Sequence, residues 1–330
     1  MLANAFSLDA ELRMRVGERD LPEPAAGDVV VRVEWAGLCG SDLHVMRGGA
    51  WVTEWPATLG HELYGRVESA PAASGFAVGT AVVADSRIPC GACAGCATDP
   101  DACSQPGFLG EIRPGAFATR CSLPPALLHP VPETLDGATA VLAEPLAVVL
   151  AGLGRLSPTP SSRRVAILGH GPIGALAQAE LRRREPGWEI AVAEPAALRA
   201  SLGRALGART VPAGDDLPAA GFDLVIDAAG HAASLTDALR LAAPGAQILV
   251  LAISEAAVSV RPIELVERAL TVFGSNAFRA ADLRTAIELL AREGWRYAPV
   301  VTDAIALDEL PEVAARQLRA PDAIKVLIRP

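Results

Sequence analysis

The spacing of hydrophobic residues changes along the chain near residue 150. Before that point, short apolar runs alternate with turns and prolines, a pattern typical of antiparallel strands whose connecting loops carry function. The predicted strands span residues 29–33, 65–68, 81–84 and 118–122. We therefore predict that the first region is an all-β, partly open barrel.

From residue 164 onward, apolar strands alternate with helical segments. Such alternation indicates βαβ units and a parallel sheet, and so an α/β fold class for this region. A segment rich in serine and proline, residues 157–162, is the predicted linker into it. The predicted strands are 165–168, 189–193, 224–226, 247–251 and 271–273, and the predicted helices are 173–184, 197–206 and 232–241.

Composition narrows the classes of function. A chain of 330 residues is long for one hydrophobic core, so two domains are expected. The net charge of −9 without a basic block argues against nucleic acid as a partner, because phosphate binding requires clustered Lys and Arg. No apolar stretch reaches the roughly 18–20 residues of a membrane helix, and the first residues lack a secretory pattern, so we expect a cytoplasmic protein. Lys325 is the only lysine, and we attribute the predominance of arginine to genomic composition bias.

Four of the six cysteines lie close together, in the sequence CGACAGCATDPDAC. Such thiols can converge on one tetrahedral Zn²⁺, with Zn–S distances near ~2.3 Å, and Gly91 and Gly95 let the backbone wrap the ion. The alternative is a run of incidental thiols. Four sulfur ligands leave no open coordination position, so the spacing predicts a structural zinc. Its predicted ligands are Cys90, Cys93, Cys96 and Cys103.

A glycine motif, LGHGPIG, follows the first predicted strand of the second region. Directly after a strand and at the start of a helix, G-x-G-x-x-G indicates a dinucleotide-binding Rossmann turn. Gly169 permits the tight turn, Gly171 leaves room for a pyrophosphate, and Gly174 lets the helix pack on the strand. The helix N-terminus, which includes Pro172 and Ile173, offers N–H groups to the phosphates.

Glu194 lies 20 residues beyond Gly174, at the end of the next predicted strand. A carboxylate at this position accepts hydrogen bonds from the adenosine ribose and repels a 2′-phosphate, so it favours NAD over NADP. The alternative is a solvated charge before Pro195. Arg199 could offset the repulsion, which keeps NADP open as the cofactor.

The loop WAGLCGSDLH, residues 35–44, carries Cys39, Ser41, Asp42 and His44. A thiolate, a hydroxyl, a carboxylate and an imidazole this close together are compatible with a metal site, with a nucleophile and its base, or with an ordinary turn. The loop alone does not decide among these interpretations.

Two further clusters favour a metal. His61 and Glu62 occur in the sequence GHE, and Glu144 begins the sequence EPLAV. Separately, they are compatible with a buried imidazole, a surface charge and an acid at a helix start. Together with Cys39 they provide one thiolate, one imidazole and two carboxylates, a set that suits a catalytic zinc with an open position.

In their order along the chain, these motifs resemble the zinc-containing medium-chain dehydrogenase/reductase superfamily, specifically its polyol, sorbitol and threonine dehydrogenase-like branch. The resemblance extends over nearly the whole chain. It implies a GroES-like, zinc-binding catalytic domain, residues 1–149 and 278–330, and a Rossmann dinucleotide-binding domain, residues 150–277. Glu144, where many alcohol dehydrogenases have a cysteine, favours the polyol-like branch.

By this resemblance, Cys39 and His61 are catalytic zinc ligands, and Glu62 and Glu144 are interchanging carboxylate ligands. The four clustered cysteines resemble the structural zinc ligands, although their last interval has six residues where the family usually has seven. Cys121 is expected to lie in the core rather than at a metal.

The implied mechanism has zinc lowering the pKa of the substrate hydroxyl, while Ser41 resembles the first group of a proton relay and His44 its outward end. Hydride then passes to the nicotinamide. The family places the substrate cleft between the domains, and a loop with Trp51 and Trp55 either forms its wall or covers the barrel.

The predicted function is thus zinc-dependent hydride transfer between a secondary alcohol (a polyol, sugar, cyclitol or amino alcohol) and NAD. The alternatives are an NADP-dependent ketone or aldehyde reductase of the same superfamily, a zinc-free quinone or enoyl reductase, and a non-catalytic relative. The expected partners are a small alcohol or ketone and further copies of the chain, as a homodimer or homotetramer. The predicted edge strand 270–274 resembles the one that pairs across such a dimer.

Overall fold

The computed structural model describes residues 1–157 and 164–330, and these form two compact units. Unit 1 comprises Met1–Glu144, Arg279–Pro321 and Lys325–Pro330, and unit 2 comprises Pro145–Phe278 and Asp322–Ile324. The predicted linker, residues 157–162, lies outside the described residues except for its first residue. No helix in the described part of the chain is long and apolar enough to cross a membrane.

The first part of the chain consists mainly of short strands, as the sequence predicts. The longest of them buries Val29, Val31 and Val33 in alternation, which is the period of a strand with one face on a core. The elements are β1 (Leu2–Leu8), β2 (Met14–Asp20), β3 (Val29–Leu38), α1 (Gly40–Gly48), β4 (Glu62–Ser69), β5 (Ala81–Ala84), β6 (Arg87–Ile88), β7 (Gly107–Phe108), β8 (Arg120–Leu123), β9 (Leu128–Pro130), α2 (Gly137–Ala140) and α3 (Ala143–Leu153).

Unit 2 contains a six-stranded sheet in which every strand is parallel to its neighbours. Four residues of β10 and four of β11 are buried, as expected for strands covered on both faces. The strand order is β12-β11-β10-β13-β14-β15. The elements are β10 (Arg164–Leu168), α4 (Pro172–Arg184), β11 (Glu189–Ala193), α5 (Ala197–Ala205), β12 (Arg209–Val211), β13 (Phe222–Asp227), α6 (Ser234–Leu241), β14 (Ala242–Val250), α7 (Pro262–Glu267) and β15 (Thr271–Gly274).

The C-terminal part of the chain completes the sheet of unit 1. Its elements are α8 (Ala280–Glu293), β16 (Val301–Ala306), α9 (Leu310–Arg319) and β17 (Lys325–Arg329). The strand order is β16-β17-β3-β4-β5-β9, and β8 also pairs with β3. Only the β16–β17 pair is parallel in this path. Strand β17 lies antiparallel to β3, with Val326 opposite Leu38, so the chain end reaches the start of the loop that contains Cys39.

Candidate functional site

Cys39 and His61 are held together by a carboxylate that the sequence interpretation did not assign. Cys39 is the N-cap residue of α1, and its backbone N–H donates to Asp42 Oδ2 at 2.9 Å. The other oxygen, Asp42 Oδ1, accepts from the backbone N–H of Gly60 at 3.2 Å. Asp42 is buried and therefore ties the start of α1 to the residue before His61. Its position three residues after an N-cap was the available signal.

The structure brings Cys39, His61 and Glu62 into one cluster, with one ligand atom of each within 4.8 Å of the others. Asp42 Oδ1 faces His61 Nδ1 at 3.5 Å, which leaves Nε2 as the ring atom for a metal. Burial opposes the charge on His61, but Asp42 and Cys39 outweigh it and raise its pKa well above the usual value. We call these three residues the Cys39 cluster.

Glu62 is fully buried and only half satisfied. Its Oε1 accepts from Lys325 Nζ at 2.5 Å, whereas its Oε2 has no hydrogen-bond partner among the described residues. A Cβ on Gly37 would lie 1.8 Å from Oε2, so any side chain at this position would displace the Glu62 carboxylate. A buried carboxylate oxygen without a donor is costly unless a cation takes it. Thiolate, imidazole and carboxylate are ligands that zinc accepts, so the residues present fit a zinc ion.

Lys325 is the counter-charge of the Cys39 cluster, although the sequence interpretation gave it no role. It is fully buried and also donates to the carbonyl of Leu38 at 3.0 Å. Burial lowers its pKa, but Glu62 and the thiolate of Cys39 outweigh burial, and the pKa is raised. A single lysine in an arginine-rich chain was a signal, but only the pairing of β17 with β3 shows what it contacts.

Glu144 lies near the Cys39 cluster but outside the set of converging ligand atoms. It is buried in the first turn of α3, where Ser86 Oγ donates to its Oε1 at 2.7 Å. Burial raises its pKa to about 7; His61 acts against this shift, and Glu62 adds to it. The structure therefore places Glu144 within electrostatic range of the cluster, held by a serine that the sequence interpretation missed.

Ser41 and His44 lie three residues apart on α1, so they share a helix face. Both are partly buried. The His44 ring stacks on Trp51 with a centroid distance of 4.8 Å. Trp51 and Trp55 are 39% and 38% exposed, so neither is a core residue. Cys121, by contrast, is buried in β8.

The four cysteines of residues 90–103, which we call the thiol lobe, also converge within 4.8 Å. Cys93 Sγ lies 3.5 Å from Cys96 Sγ, which lies 3.9 Å from Cys90 Sγ. A tetrahedron with metal–sulfur arms of ~2.3 Å has sulfur–sulfur edges of about 3.8 Å, so the spacing fits zinc. Backbone N–H groups of Ser104 and Cys96 lower the pKa of Cys93 to about 5, which favours the thiolate that metals bind.

The shortened interval before Cys103 is taken up by a tight turn. Asp99 Oδ1 accepts from the backbone N–H of Asp101 at 3.0 Å, and Cys103 N–H donates to the carbonyl of Pro100 at 3.1 Å. A Cβ on Gly95 would lie 1.9 Å from the carbonyl oxygen of Ala102, so only glycine permits this packing. The turn brings the fourth sulfur to the other three.

The glycine motif of unit 2 has the geometry of a phosphate-binding turn. Gly169 has φ of +81°, and a Cβ on Gly174 would lie 2.1 Å from the carbonyl oxygen of Gly169, so helix and strand approach closely. A Cβ on Gly171 would meet its nearest described neighbour, Arg199 Nη1, only at 3.8 Å. The turn therefore leaves space above Gly171, at the N-terminus of α4, where Pro172 and Ile173 are partly exposed.

Glu194 closes the other side of this turn. Its Oε2 accepts from the backbone N–H of His170 at 2.7 Å, and its Oε1 accepts from that of Ala196 at 2.9 Å. Each oxygen retains a lone pair for a further donor. Arg199 is partly buried and donates to the carbonyl of Ala323 at 3.0 Å, and burial lowers its pKa. The structure thus brings the predicted carboxylate and guanidinium to the same turn.

Two family models match the chain. The alcohol dehydrogenase GroES-like domain matches residues 25–133, which include both thiol-containing clusters. The zinc-binding dehydrogenase model matches residues 183–292, which cover most of the parallel sheet of unit 2 and extend into α8 of unit 1.

Similar proteins extend over nearly the whole length. D-altritol 5-dehydrogenase of Agrobacterium fabrum is 30% identical over 319 residues, 93% of each chain. A zinc-binding dehydrogenase of Sinorhizobium meliloti, solved with NADP, is 29% identical with a TM-score of 0.89 and covers 100% of both chains. An alcohol dehydrogenase of Escherichia coli CFT073, solved with NADH, is 25% identical with a TM-score of 0.85 and covers 99% of both.

The fold, the two donor clusters and these similarities define a zinc- and nicotinamide-dependent oxidoreductase. The chain belongs to the zinc-containing medium-chain dehydrogenase/reductase superfamily, in its polyol and threonine dehydrogenase-like branch. The predicted family and the predicted fold class, a GroES-like barrel with a Rossmann domain, are confirmed. The cofactors of this class are zinc and a nicotinamide dinucleotide.

Proposed function

We propose that the protein is a zinc-dependent dehydrogenase that transfers hydride between a secondary alcohol and NAD. The observation that carries this proposal is the Cys39 cluster, in which three different zinc-type donors converge and Glu62 Oε2 is left without a partner. A zinc-free quinone or enoyl reductase would not need such a set. The named relatives that act on polyols support a polyol, sugar, cyclitol or amino alcohol as substrate.

In this proposal, Cys39, His61 and Glu62 hold the catalytic zinc, with Glu144 as the second carboxylate within reach. When bound, zinc acts as a Lewis acid that favours loss of the substrate hydroxyl proton. Asp42 fixes the orientation of the His61 ring, and Lys325 holds one oxygen of Glu62. The four thiols of the thiol lobe hold a second, structural zinc.

Ser41 Oγ is the proposed acceptor of the proton that leaves the substrate hydroxyl. His44, one helical turn further along α1, is the proposed group that exchanges this proton with solvent. The stacking of His44 on Trp51 restrains its ring, which supports a fixed path. Trp51 and Trp55 are exposed enough to contact a substrate.

Turnover under controlled metal content tests the proposal. Oxidation of polyols, cyclitols, amino alcohols and L-threonine is measured with NAD and zinc-loaded protein. Zinc removal by a chelator should abolish the turnover, and zinc addition should restore it. Unchanged turnover in protein shown to lack metal contradicts the proposal and favours the zinc-free alternative.

We also propose NAD rather than NADP as the preferred cofactor. Glu194 already accepts two N–H donors, and a 2′-phosphate beside this carboxylate is repelled at a cost of about 1–3 kcal/mol. Binding of both cofactors is measured by titration, with Glu194→Gln as the variant that should lose the preference. Tighter binding of NADP by the wild type assigns the dominant role to Arg199.

A second copy of the chain is the proposed protein partner. Strand β15 is one of the two edge strands of the sheet in unit 2, and Val272 on it is exposed, as are Ile263 and Val266 on α7. An apolar edge strand is a site for strand pairing. Light scattering should give a dimer or tetramer, and Val272→Lys should shift the mass toward the monomer. A wild-type monomer contradicts this proposal.

A further inference from the structure

The side chain of His170 lies inside the glycine turn of unit 2, between Gly169 and Gly171, and has no exposed surface. Its ring therefore cannot touch a cofactor in the space above Gly171. The ring contacts the two helices that follow the turn instead. Its Nδ1 lies 2.9 Å from the carbonyl oxygen of Arg199 on α5, and its Nε2 lies 2.7 Å from Oε1 of Gln178 on α4. The ring thus ties the turn to both helices.

Both nitrogens of this ring face oxygen atoms. The amide of Gln178 is oriented by its other end, because its Nε2 donates to the carbonyl of Gly203 at 2.9 Å. The reverse orientation of this amide would place two oxygens at the same distance. Oε1 therefore faces His170, and each ring nitrogen meets an oxygen that can only accept. A neutral imidazole has one N–H, so only the imidazolium donates to both oxygens.

The surroundings of the ring oppose this charge in part. Burial lowers the pKa of His170, whereas the contacts to Gln178 and to the Arg199 carbonyl raise it. The charged groups that act on the ring are Glu194, which favours the imidazolium, and the guanidinium of Arg199, which disfavours it. Strand β12 brings the uncharged Thr210 near the same side of α5. At about pH 7 the ring is therefore mainly neutral, unless a further negative charge lies nearby.

We propose that His170 is a positioning residue for the dinucleotide cofactor and that its ring takes up a proton from solvent when the pyrophosphate binds. The inference rests on the proposed function, because it takes the space above Gly171 as the pyrophosphate site. The doubly negative pyrophosphate favours a positive charge on the adjacent residue. The imidazolium then donates to both the Arg199 carbonyl and Gln178, and it holds the turn in the form that binds the cofactor. By linkage, the cofactor should bind more tightly at lower pH.

Calorimetric titration of ADP-ribose measures this proton directly. ADP-ribose contains the adenosine and the pyrophosphate but lacks the nicotinamide, and its pyrophosphate stays ionised near neutral pH. Titrations at about pH 7 in two buffers with different ionisation enthalpies, PIPES and imidazole, should show an uptake of roughly 0.3–0.9 proton per chain. The Kd of ADP-ribose should increase about 3- to 10-fold from about pH 6 to about pH 8.

Two variants separate the charge of the ring from its packing. His170→Gln keeps an amide donor but cannot become charged, so it should abolish the proton uptake and remove the pH dependence of the Kd. Gln178→Glu places a carboxylate beside the ring and should keep it protonated before binding, so the uptake should be lost although the imidazolium remains. His129→Gln is the matched control, since His129 is a half-buried histidine on β9 of unit 1, and it should leave the uptake unchanged.

NMR titration of the histidine rings provides a second readout without turnover. The His170 signal is identified by its absence from His170→Gln, and ADP-ribose should raise the pKa of this ring by about one unit or more. An unchanged pKa contradicts the inference.

The outcomes separate the inference from the proposed function. Absence of binding of both ADP-ribose and NADH to the wild type contradicts the dinucleotide site, and with it the proposed function. Binding without proton uptake, or with the same uptake in His170→Gln, contradicts the role of His170 and leaves the dehydrogenase proposal standing. If His170→Gln does not fold, uptake that persists in Gln178→Glu contradicts the inference equally.

Discussion

The Cys39 cluster and the thiol lobe both gather zinc-type donors in unit 1, but their surroundings are opposite. The Cys39 cluster combines three chemically different donors with a fully buried ion pair between Glu62 and Lys325. The thiol lobe has four equal donors, one of them exposed, and its charges lie at its periphery. There, Asp101 binds Arg87 at 2.7 Å and accepts from the backbone N–H of Ala280.

This difference indicates whether each cluster, with a zinc ion bound, would leave a coordination position for a substrate. Four sulfurs complete a tetrahedron and leave nothing for a substrate, so the lobe can only stabilise. Three mixed donors leave a position open, and the buried charges around them fix the geometry at a cost in desolvation. The contrast therefore predicts that changes at the Cys39 cluster act on chemistry, and changes in the lobe act on folding.

The largest expected effect is that of Cys39→Ala. Loss of the thiolate should remove one zinc per chain and lower turnover by about 10³-fold, while the fold survives. Metal analysis, turnover and circular dichroism are measured on the same preparation, with His61→Ala as an independent second variant. Full turnover in a variant shown to contain only one zinc would contradict the prediction that the Cys39 cluster, unlike the thiol lobe, acts on the chemistry.

Lys325→Met should produce the largest loss of stability. It leaves the Glu62 carboxylate buried without its counter-charge, which costs about 3–5 kcal/mol in the free energy of unfolding. Denaturant unfolding measures this loss, and the double variant Lys325→Met/Glu62→Gln should recover a large part of it. A single variant as stable as wild type contradicts the assignment of Lys325 as the counter-charge.

Asp42→Asn should have an intermediate effect. An amide cannot accept at both positions, so either the Cys39 N–H or the Gly60 N–H loses its acceptor, and the His61 ring loses its carboxylate. Zinc affinity at the catalytic site should fall about 10- to 100-fold, which competition with a chelator measures. Asp308→Asn, at an exposed position, is the control and should change nothing. Equal zinc affinities in Asp42→Asn and Asp308→Asn would show that Asp42 only caps the helix.

The smallest effect on chemistry is expected for Cys93→Ser. Loss of one thiolate should reduce the metal content from two ions per chain toward one and lower the melting temperature by several degrees. The folded enzyme should keep most of its turnover rate. If the wild type, supplied with zinc, carries one ion and the variant melts at the same temperature, the thiol lobe is a reduced loop without metal.

Local pattern predicted the parallel sheet well, because each strand and helix there is continuous in sequence. The predicted strand 189–193 matches β11, and the predicted helix 173–184 begins one residue after the observed start of α4. Boundaries shifted where pairing extends a strand beyond its apolar run, as in β14, which begins at Ala242 rather than at residue 247. The β1–β2 hairpin and the strand β17 were missed, since their pairing partners define them.

The candidate site was predictable as far as its donor types. Cys39, His61 and Glu62 stand in recognisable motifs, and the structure groups them. The residues that hold these donors could not be found from spacing. Lys325 lies 263 positions from Glu62, and Ser86 lies 58 positions from Glu144. Such contacts depend on tertiary structure, and the local pattern of hydrophobic and polar residues does not predict them.

Because Lys325 is buried, chemical labelling of its amine can also report local unfolding of the protein. Lys325 is the only lysine in the sequence, and its side chain has no exposed surface. An amine-reactive reagent should therefore leave this lysine unlabelled in the native protein. A label on Lys325 marks molecules in which β17 has left β3. Mass spectrometry of labelled protein thus counts these openings directly, without an added probe or an engineered cysteine.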